Sequence, residues 1–237
     1  MTNKLKYFVG NWKMFGDFSS YKIIHKINRY IYKLKGSKNS KIVLCVPSTL
    51  IHSFRKKLKR KAICIGAQNC YHQEGYGPFT GAVSSGMLKK MGAEYIILGH
   101  SENRSEGETA QLIKKKIISA LNQKLNIIFC IGETYKDKER GRTFSVIRTQ
   151  IKSSLEKKFN KNKIILAYEP VWSIGTNKIP KVDELKKTIM FIKNMYKKKF
   201  RTKNFPKVLY GGSVNGGNIR IFSSILEIDG FLIGGAS

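Results

Sequence analysis

Three ionisable residues stand out by their positions: Lys13 in NWKM (11–14), His100 in GHSENR (99–104) and Glu169 in AYEPVW (167–172). Each follows closely on a short apolar run. Singly, each has an ordinary reading: Glu169 as a solvated carboxylate, His100 as a core histidine satisfied by backbone, Lys13 as one lysine among many. GGS (211–213) and GGAS (234–237) are equally compatible with tight turns. Together they describe a reaction. A carboxylate can take a proton from the carbon beside a carbonyl, an imidazole can polarise that carbonyl, and an ammonium can oppose the negative charge that develops. Turns rich in glycine and serine offer backbone N–H groups to a phosphate. No metal-ligand cluster and no lysine in a Schiff-base setting is evident, so neither a metal nor a cofactor is expected. The chemistry these residues imply is isomerisation of a small phosphorylated aldose or ketose.

Residues so far apart in sequence need a scaffold that brings them together. Short apolar runs recur at YFVGNW (7–12), KIVLCVP (41–47), AICIGAQN (62–69), EYIILGHS (94–101), NIIFCIGE (126–133), KIILAYEP (163–170), KVLYGGS (207–213) and GFLIGGA (230–236). They are continuous rather than alternating, as expected of strands buried on both faces of a parallel sheet. Amphipathic segments of helical period separate most of them, such as 111–123 and 183–200. With no linker-like stretch, the pattern predicts one closed α/β barrel, a (β/α)₈ TIM barrel of eight parallel strands spanning 1–237 as a single domain. An open doubly wound sheet is the alternative, disfavoured because no G-x-G-x-x-G follows the first strand. In a barrel, the carboxyl ends of the strands share one face. The unusual polar and glycine residues lie there: Asn11, Lys13, Gln68, Asn69, His100, Glu133, Glu169, Ser213 and Gly234. The expectation is that they converge on one pocket.

Composition narrows the partners. The 237 residues carry 45 Lys+Arg against 15 Asp+Glu, a net charge of +30. Such a field can bind nucleic acid or steer anions. However, the lysines are spread over helix-like segments (54–61, 112–117, 155–159, 195–200) rather than gathered in one basic arm, which reads as a solvated coat. A basic anion- or nucleic-acid-binding protein on an inactive barrel, or another phosphate-binding barrel enzyme, is the alternative function. No apolar run approaches the roughly 20 residues of a membrane helix, and the first residues lack a signal-peptide core, so a cytoplasmic location is expected. Cys45, Cys64 and Cys130 lie in apolar runs and Cys70 in a loop, without a C-x-x-C pair, which reads as buried reduced thiols.

The motifs NWKM, GAQNCY (66–71), GPFTG (77–81), ILGHSE (97–102), CIGET (130–134), AYEPVWSIGT (167–176), YGGSV (210–214) and GFLIGGAS (230–237) occur in the order of one known family, and the chain resembles triosephosphate isomerase from end to end. The resemblance implies interconversion of dihydroxyacetone phosphate and D-glyceraldehyde 3-phosphate, in glycolysis and gluconeogenesis. It implies that Glu169 shuttles the proton, that a neutral His100 polarises the carbonyl, and that Lys13 holds the phosphate while opposing the developing charge. Asn11 would hydrogen-bond the substrate oxygen, and Glu102 would position the lysine and histidine. Backbone groups at Gly175, Ser213, Gly234 and Gly235 would grip the phosphate. Residues 170–180 would be a lid, with Trp172 and Ile174 as its apolar underside. Residues 70–81, with Thr80 and Gln68 fitting the family pattern, would form the loop of a homodimer.

The chain departs from the family at several points. Asn177 replaces a usual glycine. Pro180 replaces a residue whose N–H ties the closed lid to Tyr210, and proline has none to give. Asn103 stands where arginine is normal and Ala82 where an acidic residue is common, both bearing on the dimer interface. The family continues past Ser237 through a final helix. The expectation is an uncovered outer flank on the last strand, a less stable barrel and weaker phosphate binding.

Overall fold

Apolar runs without polar interruption are used twice over, once on each face. The computed structural model describes residues 5–33, 39–58 and 62–237. Eight strands, β1 (Lys6–Asn11), β2 (Ser40–Cys45), β3 (Ile63–Ala67), β4 (Tyr95–Leu98), β5 (Asn126–Ile131), β6 (Ile164–Tyr168), β7 (Val208–Tyr210) and β8 (Gly230–Ile233), pair in parallel in chain order, and β1 closes the barrel on β8. Successive side chains point to opposite faces of a strand. Val9, Val43, Ile97, Ile128, Ile165 and Leu209 therefore fill the barrel interior, while their neighbours Ile96, Phe129, Leu166 and Val208 pack outward under the helices. Two-sided burial is the physical reason the runs do not alternate.

Every predicted strand is present, but most stop short of the apolar run that announced them. The chain makes one last sheet-like hydrogen bond beyond the ladder and then bends away: Trp12 N–H to Cys45 O at 3.0 Å, Glu169 N–H to Ile131 O at 2.8 Å and Gly211 N–H to Tyr168 O at 2.8 Å. The residues with chemistry are thus mostly the first residues of the loops, aimed by the strands behind them.

The helices are α1 (Tyr21–Lys33), α2 (Ser48–Lys57), α3 (Ser85–Lys90), α4 (Ser101–Ser105), α5 (Ala110–Asn122), α6 (Tyr135–Glu139), α7 (Thr143–Ser154), α8 (Val182–Phe200) and α9 (Ile219–Ser223). The patterns at 111–123 and 183–200 coincide with α5 and α8 to within a residue. Thr109 starts α5 by accepting the Leu112 N–H, as N-cap residues do. Lys197, Lys198 and Lys199 close the last turn of α8, where cations complement the helix dipole.

The lysine coat has exceptions. Lys116, inside the run 112–117, is buried, paired with Glu108 and bonded to Asn69 Oδ1 at 2.9 Å. Lys193 of α8 is buried against Asp229 at 2.7 Å. Buried ammonium groups require such partners. The last three residues of the run 54–61 lie outside the described residues. All four cysteines are free and buried; Cys45, Cys64 and Cys130 line the barrel interior and Cys70 the outer core. Burial pushes the Cys70 thiol up to about 12, so it stays protonated and unreactive. On the flank expected to be uncovered, Phe231 is only 1% exposed, its ring 6.0 Å from Phe8, while Phe8 and Ile233 are partly buried. Among the described residues, no helix is long and apolar enough to cross a membrane.

Candidate active site

Lys13, two residues beyond the end of β1, adopts a left-handed backbone with φ of 53°, which costs energy in a residue other than glycine. Its N–H is held by Asn11 Oδ1 at 3.1 Å. With that oxygen occupied, the amide N–H₂ of the buried Asn11 is left to donate into the cavity. The Lys13 ammonium bonds Glu102 Oε1 at 2.6 Å. Glu102 lies in the first turn of α4, whose N-cap is the His100 side chain: Nδ1 accepts the Glu102 N–H at 3.2 Å.

That acceptor role identifies the tautomer, because only an unprotonated Nδ1 can accept. Nε2 carries the proton and faces Glu169 Oε1 at 3.4 Å. Burial works against the charged ring, but the charge of Glu169, its hydrogen bond and the charge of Glu102 outweigh it, lifting the His100 pKa above its ordinary value. The neutral imidazole implied by the family resemblance therefore has to be maintained against two carboxylates.

Glu169 is 4% exposed, and its Oε2 has no hydrogen-bond partner among the described residues. Its backbone passes so close to Gly132 that a Cβ there would lie 1.9 Å from the Glu169 carbonyl oxygen. Only glycine permits that approach.

Asn11, Lys13, His100, Glu169, Gly175, Ser213, Gly234 and Gly235 line a single cavity of about 400 Å³. Glu102 stands behind Lys13 and His100. Three residues expected in this pocket are elsewhere on the same face. Gln68 donates to Cys45 O at 3.0 Å, and Asn69 accepts from Lys116 and from the Cys70 N–H. Glu133 lies beneath the lid, accepting from Trp172 Nε1 at 2.9 Å and Tyr168 Oη at 3.2 Å. Eight strand ends enclose more area than one small cavity, so sharing a face does not mean sharing a pocket. Sequence reasoning missed Arg104, which ties the loop after β4 to strand β5 by donating to Gly99 O at 2.7 Å and Cys130 O at 3.1 Å. The one available signal was its place at the end of GHSENR, four residues after His100.

The sequence profile described as triosephosphate isomerase matches residues 6–237. The chain belongs to the triosephosphate isomerase family. It is 41% identical over 237 residues to the triosephosphate isomerase of Dictyoglomus thermophilum, covering 98% of this chain and 94% of that protein. It is 39% identical to that of Aquifex aeolicus, with 96% and 92% covered. The crystal structure of triosephosphate isomerase from Bartonella henselae superposes with a TM-score of 0.88 at 32% identity, covering 97% and 92% of the two chains.

Against the family pattern, Asn177 takes the place of glycine by adopting a left-handed φ of 59°; asparagine tolerates this conformation better than most residues. Trp172 and Ile174 are half-buried, and Ile174 lines the cavity. Pro180 is buried, and the Tyr210 hydroxyl meets Ser173 Oγ at 3.3 Å.

Proposed function

We propose that this chain interconverts dihydroxyacetone phosphate and D-glyceraldehyde 3-phosphate, an intramolecular aldose–ketose isomerisation, with Glu169 as the base. The observation that carries the residue assignment is the state of Glu169. It is buried beside the His100 N–H, with one oxygen unpartnered, at the wall of a cavity that also holds Lys13 and Asn11. Glu169 takes a proton from the carbon next to the carbonyl. The C–H electron pair becomes a carbon–carbon double bond and the carbonyl electrons move onto oxygen, giving an enediolate. The His100 Nε2–H and the Asn11 amide donate to the oxygens while Lys13 opposes the charge. The hydroxyl proton passes from one oxygen to the other, and Glu169 returns its proton to the neighbouring carbon. Backbone N–H groups at Gly175, Ser213, Gly234 and Gly235 hold the phosphate. Closure of 170–180 excludes water, which strengthens these contacts and keeps the enediolate from expelling phosphate. The chain works as one barrel domain; the family assignment leaves the nucleic-acid-binding alternative unsupported.

Glu169→Gln keeps the shape and removes the base. Steady-state kinetics in both directions are expected to show kcat reduced by about 10²- to 10⁴-fold with KM little changed. A variant retaining wild-type kcat would refute the assignment.

The same reading extends to a homodimer. Met14 is 96%, Phe15 72% and Tyr76 76% exposed, more large apolar surface than a monomer comfortably shows to water. The 70–81 loop is ordered by contacts within it and to the residues just after it: the Tyr71 N–H bonds Val83 O at 2.8 Å, and the Tyr71 and Phe79 rings lie 4.8 Å apart. Asn103 and Ala82 remove charges from that region. Light scattering after size exclusion should give twice the chain mass, and a monomer at micromolar concentration would reject the dimer.

A further inference from the structure

Ser173 has no part in the chemistry above, yet its hydroxyl is a junction. The residue is fully buried. Its Oγ donates across the lid to Lys178 O at 2.5 Å, accepts the Ser213 N–H at 3.2 Å and lies 3.3 Å from Tyr210 Oη. One oxygen thereby joins the two limbs of the lid, the end of β7 and the turn at 211–213. Gly212 makes room for this arrangement, since a Cβ there would sit 2.7 Å from Ser173 Oγ and 2.3 Å from Tyr210 Oη. Pro180 has no N–H to offer Tyr210, which leaves the tyrosine hydroxyl to this serine.

We propose that Ser173 is a positioning residue that ties the lid down by occupying the Ser213 N–H, and that a phosphoryl group must displace it in order to bind. The inference rests on the reading of Ser213 as a phosphate donor. A single N–H cannot serve the serine hydroxyl and a phosphate oxygen at full strength together. The charged oxygen is the stronger acceptor. Whatever stabilises the arrangement in which Ser173 holds that N–H lowers apparent phosphate affinity by the same factor. Deleting the hydroxyl therefore tightens anion binding, the opposite of what losing an ordinary structural contact would do.

The test is calorimetric titration of inorganic phosphate into the full chain and its Ser173→Ala and Tyr210→Phe variants, with melting temperatures to establish that each is folded. Ser173→Ala is expected to bind phosphate about fivefold more tightly, the equivalent of one hydrogen bond, and to lower KM without raising kcat. Equal or weaker binding overturns the inference. Tyr210→Phe leaves the Ser173–Ser213 contact in place and should not tighten binding. Tightening there to the same degree would mean that loosening the lid is sufficient, which also overturns it. Absence of phosphate binding in the unmodified chain would instead reject the underlying assignment of the 211–213 turn.

Discussion

Glu169 and Ser173 stand four residues apart and are held by opposite means. Glu169 hangs from the barrel by a backbone hydrogen bond to Ile131, with its own carbonyl wedged against Gly132. Beyond short-range turn bonds such as Ser173 N–H to Pro170 O at 2.8 Å, Ser173 and its neighbours are held largely by side chains: Ser173 Oγ to Lys178, Thr176 Oγ1 to Trp172 O at 2.9 Å, and Trp172 Nε1 to Glu133, with Lys138 Nζ 3.7 Å from the indole ring centroid. A rigid ladder cannot be released by rotating one torsion, whereas a side-chain bond can. Each such bond is worth only about 1 kcal/mol net, so a lid built this way can open and close at little cost. In the proposed mechanism, the group that must stay within a fraction of an ångström of a substrate carbon is fixed by the sheet, and the segment proposed to move is fixed by exchangeable contacts.

Disturbing the backbone side should therefore do most damage. Gly132→Ala forces the Glu169 backbone to shift, and kcat should fall about a hundredfold, the scale of a misplaced catalytic group, while phosphate affinity stays near that of the wild type. Unchanged kcat would break the comparison. Glu102→Gln acts between the two regions. It removes the partner of Lys13 and should lower kcat/KM by no more than about fivefold, as for a partly exposed ion pair. It also removes one of the negative charges that lift the His100 pKa. The ring then stays neutral to lower pH, so the acid limb of kcat/KM, which reports the free enzyme, should move downward. An unmoved or raised limb would mean that Glu102 acts on Lys13 alone. Pro180→Ala has the smallest expected effect. It supplies an N–H for Tyr210, and methylglyoxal released per turnover should drop by about two- to threefold. No difference would remove the tyrosine tie from the account of lid closure.

The eight strands and the long helices were legible because their signals are local. A continuous apolar run of five or six residues reports a strand covered on both faces, and the 3.6-residue period of 183–200 reports a helix covered on one. Lys13, His100 and Glu169 were legible for a related reason: a polar residue at the end of such a run must leave the sheet at the mouth of the barrel. The residue roles and the family came from motif order across the whole chain.

What the sequence by itself determined was the set of elements and the set of chemical groups at their carboxyl ends. Only the tertiary structure decided which of those groups meet. It sent Glu133 to the indole of Trp172, Asn69 to the buried Lys116, and Gln68 to Cys45 O. It also made Ser173, unremarkable in sequence, the common partner of Lys178, Tyr210 and Ser213. Strand and helix periodicities are set by backbone geometry over a few residues. The partner of a buried hydroxyl or carboxylate is set by how loops from different strands settle against one another around the barrel rim, and no local pattern encodes that.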